Sequence, residues 1–201
     1  MKVTIVDYGA GNFPSVERAL QRLGADSRRT NSAECIFNAE ALLLPGVGHM
    51  AALIRALDEQ KLRTALVGAI HRGVPFLGIC LGLQILYESS EEAPQLSGLH
   101  FLPGRVSALP SKVKLPHMGW NQIAEKRESR LLRGIPKDAY FYFAHSYAAR
   151  GSNDATVATC SHGSEFAAVV ERQNIFAVQF HPEKSGAPGA RVLQNFLRLA
   201  A

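Results

Sequence analysis

Val74-Pro75-Phe76-Leu77-Gly78-Ile79-Cys80-Leu81-Gly82-Leu83-Gln84 is a largely apolar stretch that carries one thiol between two glycines. Residues 74–79 have the composition of a strand buried on both faces, and residues 81–89 continue as a helical pattern. A nucleophile on such a strand-to-helix turn projects its side chain from the end of a sheet. The helix N-terminus beside it favours the thiolate, which is the reactive form. A lone cysteine in an apolar stretch is ordinarily a small core hydrophobe. Gly78 and Gly82 set this one apart, because they remove bulk on both sides of the thiol.

Strands and helices alternate up to this point. Residues 2–6 predict a buried strand that ends at Asp7-Tyr8-Gly9-Ala10-Gly11-Asn12. Val16, Ala19, Leu20 and Leu23 then recur at helical spacing, and Gly24 stops the helix. Residues 41–44 are a second apolar run, cut by Pro45-Gly46-Val47-Gly48. Residues 51–70 read as helix, broken near Gln60. This alternation implies right-handed crossovers and a largely parallel sheet. Beyond residue 90 the pattern changes, with Pro94, Gly98, Pro103, Gly104, Pro110 and Pro116 punctuating short segments. Residues 157–159, 165–170 and 175–179 predict hairpin strands, with turn signals at Ser161-His162-Gly163 and Arg172-Gln173-Asn174. These add antiparallel strands to one side of the sheet, and residues 191–199 close the chain as a helix. The class is therefore α/β.

A length of 201 residues fits one domain, 1–201, and 47% hydrophobic residues supply a sizeable core. The net charge of +5 is spread over short pairs such as Arg28-Arg29 and Lys126-Arg127, which is a solvated surface and not a nucleic-acid stripe. Cys35, Cys80 and Cys160 are odd in number and far apart, so neither a disulfide framework nor a zinc site is indicated. The first apolar stretch is too short for a signal peptide and no run approaches a membrane span. The expectation is a cytoplasmic protein.

His181-Pro182-Glu183 follows a hundred residues after the thiol. In extended chain, positions i and i+2 point to the same side, so Glu183 can reach the imidazole of His181. The carboxylate would orient the ring and stabilise the imidazolium, and His181 would deprotonate Cys80 and later protonate the leaving group. Acyl transfer also needs donors at the developing oxyanion. The backbone N–H of Leu81 is one candidate, and the Pro45 to Gly48 loop offers another.

Gly78-Ile79-Cys80-Leu81-Gly82-Leu83-Gln84 with His181-Pro182-Glu183 resembles the triad, or class I, glutamine amidotransferases. Further stretches narrow the resemblance to the glutaminase subunits of imidazole glycerol phosphate synthases. They are Asp7-Tyr8-Gly9-Ala10-Gly11-Asn12, Leu44-Pro45-Gly46-Val47-Gly48-His49, Glu88-Ser89-Ser90-Glu91-Glu92-Ala93-Pro94, Leu115-Pro116-His117-Met118-Gly119-Trp120-Asn121 and His181-Pro182-Glu183-Lys184-Ser185. Together they span nearly the whole chain.

The resemblance implies the three-layer, flavodoxin-like fold of that family. It implies hydrolysis of L-glutamine to glutamate and ammonia, with the ammonia channelled to a (β/α)₈-barrel cyclase subunit in histidine biosynthesis. The pair would be a heterodimer whose products are imidazole glycerol phosphate and aminoimidazole carboxamide ribotide. No metal or organic cofactor is implied. Carried over, Cys80 is the nucleophile, His181 the general base and acid, and Glu183 its orienter. Val47 and Leu81 form the oxyanion hole through their backbone. Gly46, Gly48, Gln84, Ser146 and Tyr147 bind glutamine. Asn12, Pro116, Trp120, Tyr142 and Lys184 match the cyclase-facing surface. In this family glutaminase activity is weak until the partner's ligand signals across the interface, and the Pro45–Gly48 strand moves to let Val47 complete the oxyanion hole.

Departures are few. Pro14 replaces a helix former, which the first helical turn tolerates, and Leu83 stands where Met is common, a volume-conserving exchange. The alternatives are another triad glutaminase, such as the pyridoxal phosphate synthase subunit or an anthranilate synthase component, and a non-catalytic regulator on the same fold. The Pro-His-Met-Gly-Trp-Asn stretch and the absence of His after Leu81-Gly82 argue against the anthranilate synthase component, and the presence of Cys80, His181 and Glu183 argues against the regulator.

Overall fold

The structure, a computed structural model, describes residues 2–150 and 154–201. In chain order the elements are β1 (Lys2–Val6), α1 (Phe13–Arg22), β2 (Asp26–Thr30), α2 (Ala33–Phe37), β3 (Ala41–Gly46), α3 (Met50–Glu59), α4 (Leu62–His71), β4 (Phe76–Cys80), α5 (Leu81–Gln84) and β5 (Tyr87–Ser90). They continue with β6 (Leu102–Ala108), β7 (His117–Gln122), β8 (Ala124–Glu125), β9 (Tyr140–His145), β10 (Tyr147–Ala149), β11 (Thr156–Ser161), β12 (Glu165–Arg172) and β13 (Ile175–Val178). A 3₁₀ turn at Pro182–Lys184 leads into α6 (Gly186–Ala200).

β3, β4 and β13 are buried at every position. Their side chains alternate between two apolar clusters, which is why these strands show no polar period. Ala41, Leu43, Leu77, Ile79, Phe176 and Val178 enter one cluster with Val16 and Leu20 of α1 and Val192 and Phe196 of α6. Leu42, Leu44, Phe76, Ile175 and Ala177 enter the other, with Leu53 and Leu57 of α3 and Leu66 and Ile70 of α4. Each fully buried Leu, Ile or Phe contributes about 1.5–3 kcal/mol. The result is helix, sheet, helix: three layers.

The eight-stranded sheet has the order β2-β1-β3-β4-β13-β12-β11-β8. Neighbours from β2 to β13 are parallel, and β12, β11 and β8 extend the sheet antiparallel, as the hairpin signals predict. The five parallel strands follow the doubly wound order in which ligands bind outside the carboxyl ends of the strands. Two small sheets, β10-β6-β5 and β7-β9, cover the end where β4 and β13 finish.

Two sequence expectations change, and a third is met. The helix predicted over 81–89 lasts one turn, and the chain leaves it as β5, paired to β6. Ile85, Leu86 and Tyr87 are all buried, so this short apolar run fits a strand as well as a helix, and periodicity cannot separate them. The second apolar run does not stop at Leu44: β3 runs through Pro45 and Gly46, which align with Ile79 and Cys80 of β4. The break near Gln60 is realised at Lys61, whose φ of 58° separates α3 from α4.

Candidate active site

Tyr8 follows β1, Val47 follows β3, Cys80 ends β4, and Gln179 and His181 follow β13. Parallel pairing therefore delivers five functional side chains or backbone groups to one edge. Cys80 has φ 56° and ψ −105°, a sparsely populated conformation for a residue with a side chain. Such a conformation costs about 1–3 kcal/mol and persists only where its surroundings impose it. The glycines impose it here. A Cβ at Gly78 would strike the carbonyl of Gly82, one at Gly82 would strike the carbonyl of Leu44, and one at Gly46 would meet Leu81. The turn is thus pressed against β3 and folded back over β4. Gly78 and Gly82 serve this backbone contact rather than clearing space beside the sulfur. Because α5 is a single turn, its dipole aids the thiolate less than a full helix would.

His181 and Glu183 are joined by a 2.9 Å hydrogen bond from Nδ1 to Oε1, with both side chains almost wholly buried. The geometry differs from the extended i, i+2 arrangement expected: Glu183 lies in the 3₁₀ turn that starts at Pro182. The backbone is pinned on both sides. His181 N–H donates to Tyr142 O at 2.8 Å, and Ser185 Oγ donates to His181 O at 2.6 Å. Burial alone would lower the imidazole pKa. Its hydrogen bonds to the Cys80 sulfur and to Glu183 override burial and raise it to about 10. The imidazolium is favoured beside a negative sulfur, which is the charge state a thiolate nucleophile requires. By contrast, burial pushes the Cys160 thiol up to about 12, so it is inert.

Cys80 and His181 line a cavity of about 280 Å³ together with Val47, Gly48, Leu81, Gln84, Ser146 and Tyr147. That volume is just below the roughly 300–1,000 Å³ of clefts for drug-sized ligands, so it suits a molecule of amino-acid size. A larger cleft of about 370 Å³ near Leu109 and Phe166 contains none of Cys80, His181 and Glu183. Gly46, expected at glutamine, does not line the cavity, because it lies inside β3 beneath Leu81 and Gly82. Glu92 was not singled out from the sequence, although its motif was. It lines the cavity and accepts the Met50 N–H at 2.8 Å, which holds a carboxylate where a substrate ammonium group could approach.

The two expected oxyanion donors differ. Leu81 N–H is among the first N–H groups of α5, which have no intrahelical partner. Val47 N–H is engaged: it donates to the Tyr8 hydroxyl at 3.3 Å. Burial raises Tyr8 to about 12, so that hydroxyl stays neutral.

Two of the five residues expected to face a partner border the same cavity. Pro116 and Lys184 line it. Trp120 is 55% exposed and meets Tyr142 edge to face, and the Lys184 ammonium lies 5.6 Å from the Tyr142 ring centre. Asn12 caps α1 through its carbonyl, which accepts the N–H groups of Ser15 and Val16. Exposed Leu115, Met118 and Tyr140 extend this apolar face. It is the kind of patch that marks an interaction site.

Starting from His145, which lines the cavity, three imidazoles form a chain. His145 Nδ1 faces Tyr147 O at 2.9 Å, so that nitrogen carries the proton, and His145 Nε2 meets His117 Nδ1 at 3.1 Å. His117 also stacks on His162, with ring centres 4.2 Å apart. Burial lowers His117 to about 4 and His145 to about 3. The unfolded chain binds these protons near pH 6.5 and the folded one does not. Stability is therefore complete above about pH 6.5 and is lost as pH falls towards 4. The urea midpoint should drop between pH 7 and pH 5, and His117→Gln should flatten that slope; a slope unchanged by the substitution would remove His117 as its source.

The family model "Glutamine amidotransferase class-I" matches residues 4–200. A protein from Methanothermobacter thermautotrophicus called imidazole glycerol phosphate synthase subunit HisH is 48% identical over 98% of both chains. One of the same description from Moorella thermoacetica is 47% identical, covering 96% of this chain and 93% of its own. Among solved structures, a glutamine amidotransferase matches with a TM-score of 0.78 at 20% identity over 98% of both chains. PurLQS from Thermotoga maritima matches with a TM-score of 0.77 at 21% identity, over 100% of this chain and 99% of that one. At that identity these two likenesses speak for the fold alone.

Proposed function

The chain belongs to the class-I glutamine amidotransferase family, and on that premise we propose that it is the glutaminase subunit of an imidazole glycerol phosphate synthase. It hydrolyses L-glutamine to glutamate and ammonia, and ammonia passes to a cyclase subunit with the (β/α)₈-barrel fold. The observation that carries this reading is the likeness, over 98% of both chains, to a relative with that description. The pyridoxal phosphate synthase alternative is not favoured.

The mechanism follows from the groups at the strand ends. The Cys80 sulfur attacks the side-chain amide carbon of glutamine, and the C–O π pair moves to oxygen. The oxyanion needs two N–H donors, from Leu81 and Val47. His181 gives its proton to the amide nitrogen, the C–N bond breaks, and ammonia leaves a glutamyl thioester on Cys80. His181 then takes a proton from water, which attacks the thioester, and glutamate leaves as the sulfur regains its negative charge. Glu183 holds the imidazole in position for both transfers. Gly48, Gln84, Ser146 and Tyr147 hold the amino-acid end of the substrate, with the Glu92 carboxylate near its ammonium group. Asn12, Pro116, Trp120, Tyr142 and Lys184 meet the cyclase around the mouth of the cavity, where ammonia emerges.

One donor is not ready. With Val47 N–H held by Tyr8, the oxyanion has only Leu81. A missing oxyanion donor costs about 10²–10³ in kcat. The isolated subunit should therefore hydrolyse glutamine slowly, and adding the cyclase with its nucleotide ligand should raise kcat by that factor. Steady-state glutamate release, with and without partner, measures it. Equal rates in both conditions, or no complex with a barrel cyclase on gel filtration, would overturn the assignment.

A further inference from the structure

We infer that Gln179 is a catalytic residue of this site: its side-chain amide donates a hydrogen bond to the nucleophilic sulfur and stabilises it as thiolate. This rests on the proposed glutaminase chemistry at Cys80. Gln179 is wholly buried just past β13, two residues before His181. Its Nε2 lies 3.5 Å from Cys80 Sγ, a hydrogen-bond distance for sulfur.

The direction of that bond is fixed by a chain of partners with one consistent assignment. Tyr147 O is a carbonyl and only accepts, so the Gln84 atom 2.7 Å from it must be the NH₂ group. The second hydrogen of that group then reaches Gln179 Oε1 at 3.0 Å. Gln179 therefore presents oxygen to Gln84, and its NH₂ group is left facing the sulfur. Flipping Gln179 would set two NH₂ groups against each other and an oxygen against a thiolate. The same assignment leaves Gln84 Oε1 buried with no hydrogen-bond partner among the described residues.

The other contacts of the sulfur leave this role open. Ala144 O is 4.0 Å away and could only accept from a protonated thiol. His181 is hydrogen-bonded to the sulfur but must release its proton to the leaving group during each turnover. The amide of Gln179 keeps its protons throughout, so it can stabilise the negative sulfur both before attack and as the thioester breaks. Hydrogen bonds to an ionised partner are the strong ones.

A merely structural glutamine would affect stability and leave the chemistry of the thiol alone. The test is the rate at which iodoacetamide alkylates Cys80, measured against pH in the complex with the cyclase. Gln179→Glu keeps the oxygen that Gln84 needs and turns an acceptor towards the sulfur. Gln179→Met keeps the length and removes the donor. Both should slow alkylation at pH 7 by about 10–100-fold, the scale of a hydrogen bond to a charged group, and move the rate profile to higher pH. Their kcat for glutamine should fall while KM holds. A profile identical to that of the unsubstituted protein in variants with an unchanged melting temperature would overturn the role. The unsubstituted protein gives a reading that needs no substitution. The ¹⁵N resonance of the Gln179 side chain should shift with the same pH midpoint as alkylation, and a resonance indifferent to thiol ionisation would equally overturn it. Failure of the glutaminase reading is seen separately, as a complex that alkylates normally and releases no glutamate.

Discussion

Cys80→Ala is expected to reduce glutamine hydrolysis by about 10⁶-fold, the loss seen when a triad loses its nucleophile. No other group can substitute. Cys160 is buried with its thiol pushed up to about 12, and Cys35 lies on α2, outside the cavity lining. The fold should survive, because alanine meets the same backbone at φ 56° and only a small buried sulfur is lost, a change of about 1 kcal/mol. Partner binding should survive too, since the apolar face around Trp120 is untouched. The decisive control is chemical: if the subunit's only product for its partner is ammonia, added ammonium salt should restore cyclase turnover in the Cys80→Ala complex. Glutamate release close to that of the unsubstituted protein would refute the nucleophile. Loss of activity that ammonium cannot restore would point to damaged assembly instead.

What the sequence made legible follows from where its residues sit. β3 and β4 read as strands because both faces are buried, so each position had to be apolar or glycine. β2, Asp-Ser-Arg-Arg-Thr, gave no such signal. It is the edge strand of the parallel region, and its side chains face water or pair at the surface, as Arg29 does with Asp7. The small sheets were hidden for a different reason: β7 and β9 join residues across the punctuated region, where no local pattern reports a partner some twenty residues away. The site divides in the same way. Cys80, His181 and Glu183 were found from residue type, flanking glycines and resemblance. The Tyr8 contact to Val47 spans 39 residues, and the Gln179 contact to Cys80 spans 99. A buried glutamine between Val178 and Phe180 reads in sequence as an interruption of an apolar strand. Only the pairing of β13 with β4, which sets Val178 beside Ile79, makes it a neighbour of the sulfur.

Glu183→Gln should separate orientation from nucleophilicity. The carboxylate accepts the Nδ1–H of His181 at 2.9 Å, which leaves the other ring nitrogen to serve the sulfur. Glutamine keeps the shape and can still offer an oxygen to that N–H, but it removes the negative charge that helps to raise the imidazole pKa. The sign is then fixed: the ring loses its proton at lower pH than before, and less imidazolium is present to protonate leaving ammonia. The new NH₂ group would also occupy the place of Glu183 Oε2, which is buried without a hydrogen-bond partner among the described residues, so the variant gains an unsatisfied donor or flips and presents that donor to Nδ1. A flipped amide selects the wrong tautomer. Either outcome should lower kcat by about 10²–10⁴. The thiol itself remains, so iodoacetamide should still alkylate Cys80, more slowly at neutral pH because its imidazolium partner is weakened. Full kcat with normal alkylation would show that burial and backbone pinning orient His181 without the carboxylate. Loss of alkylation altogether would show that Glu183 acts on the sulfur rather than on the ring.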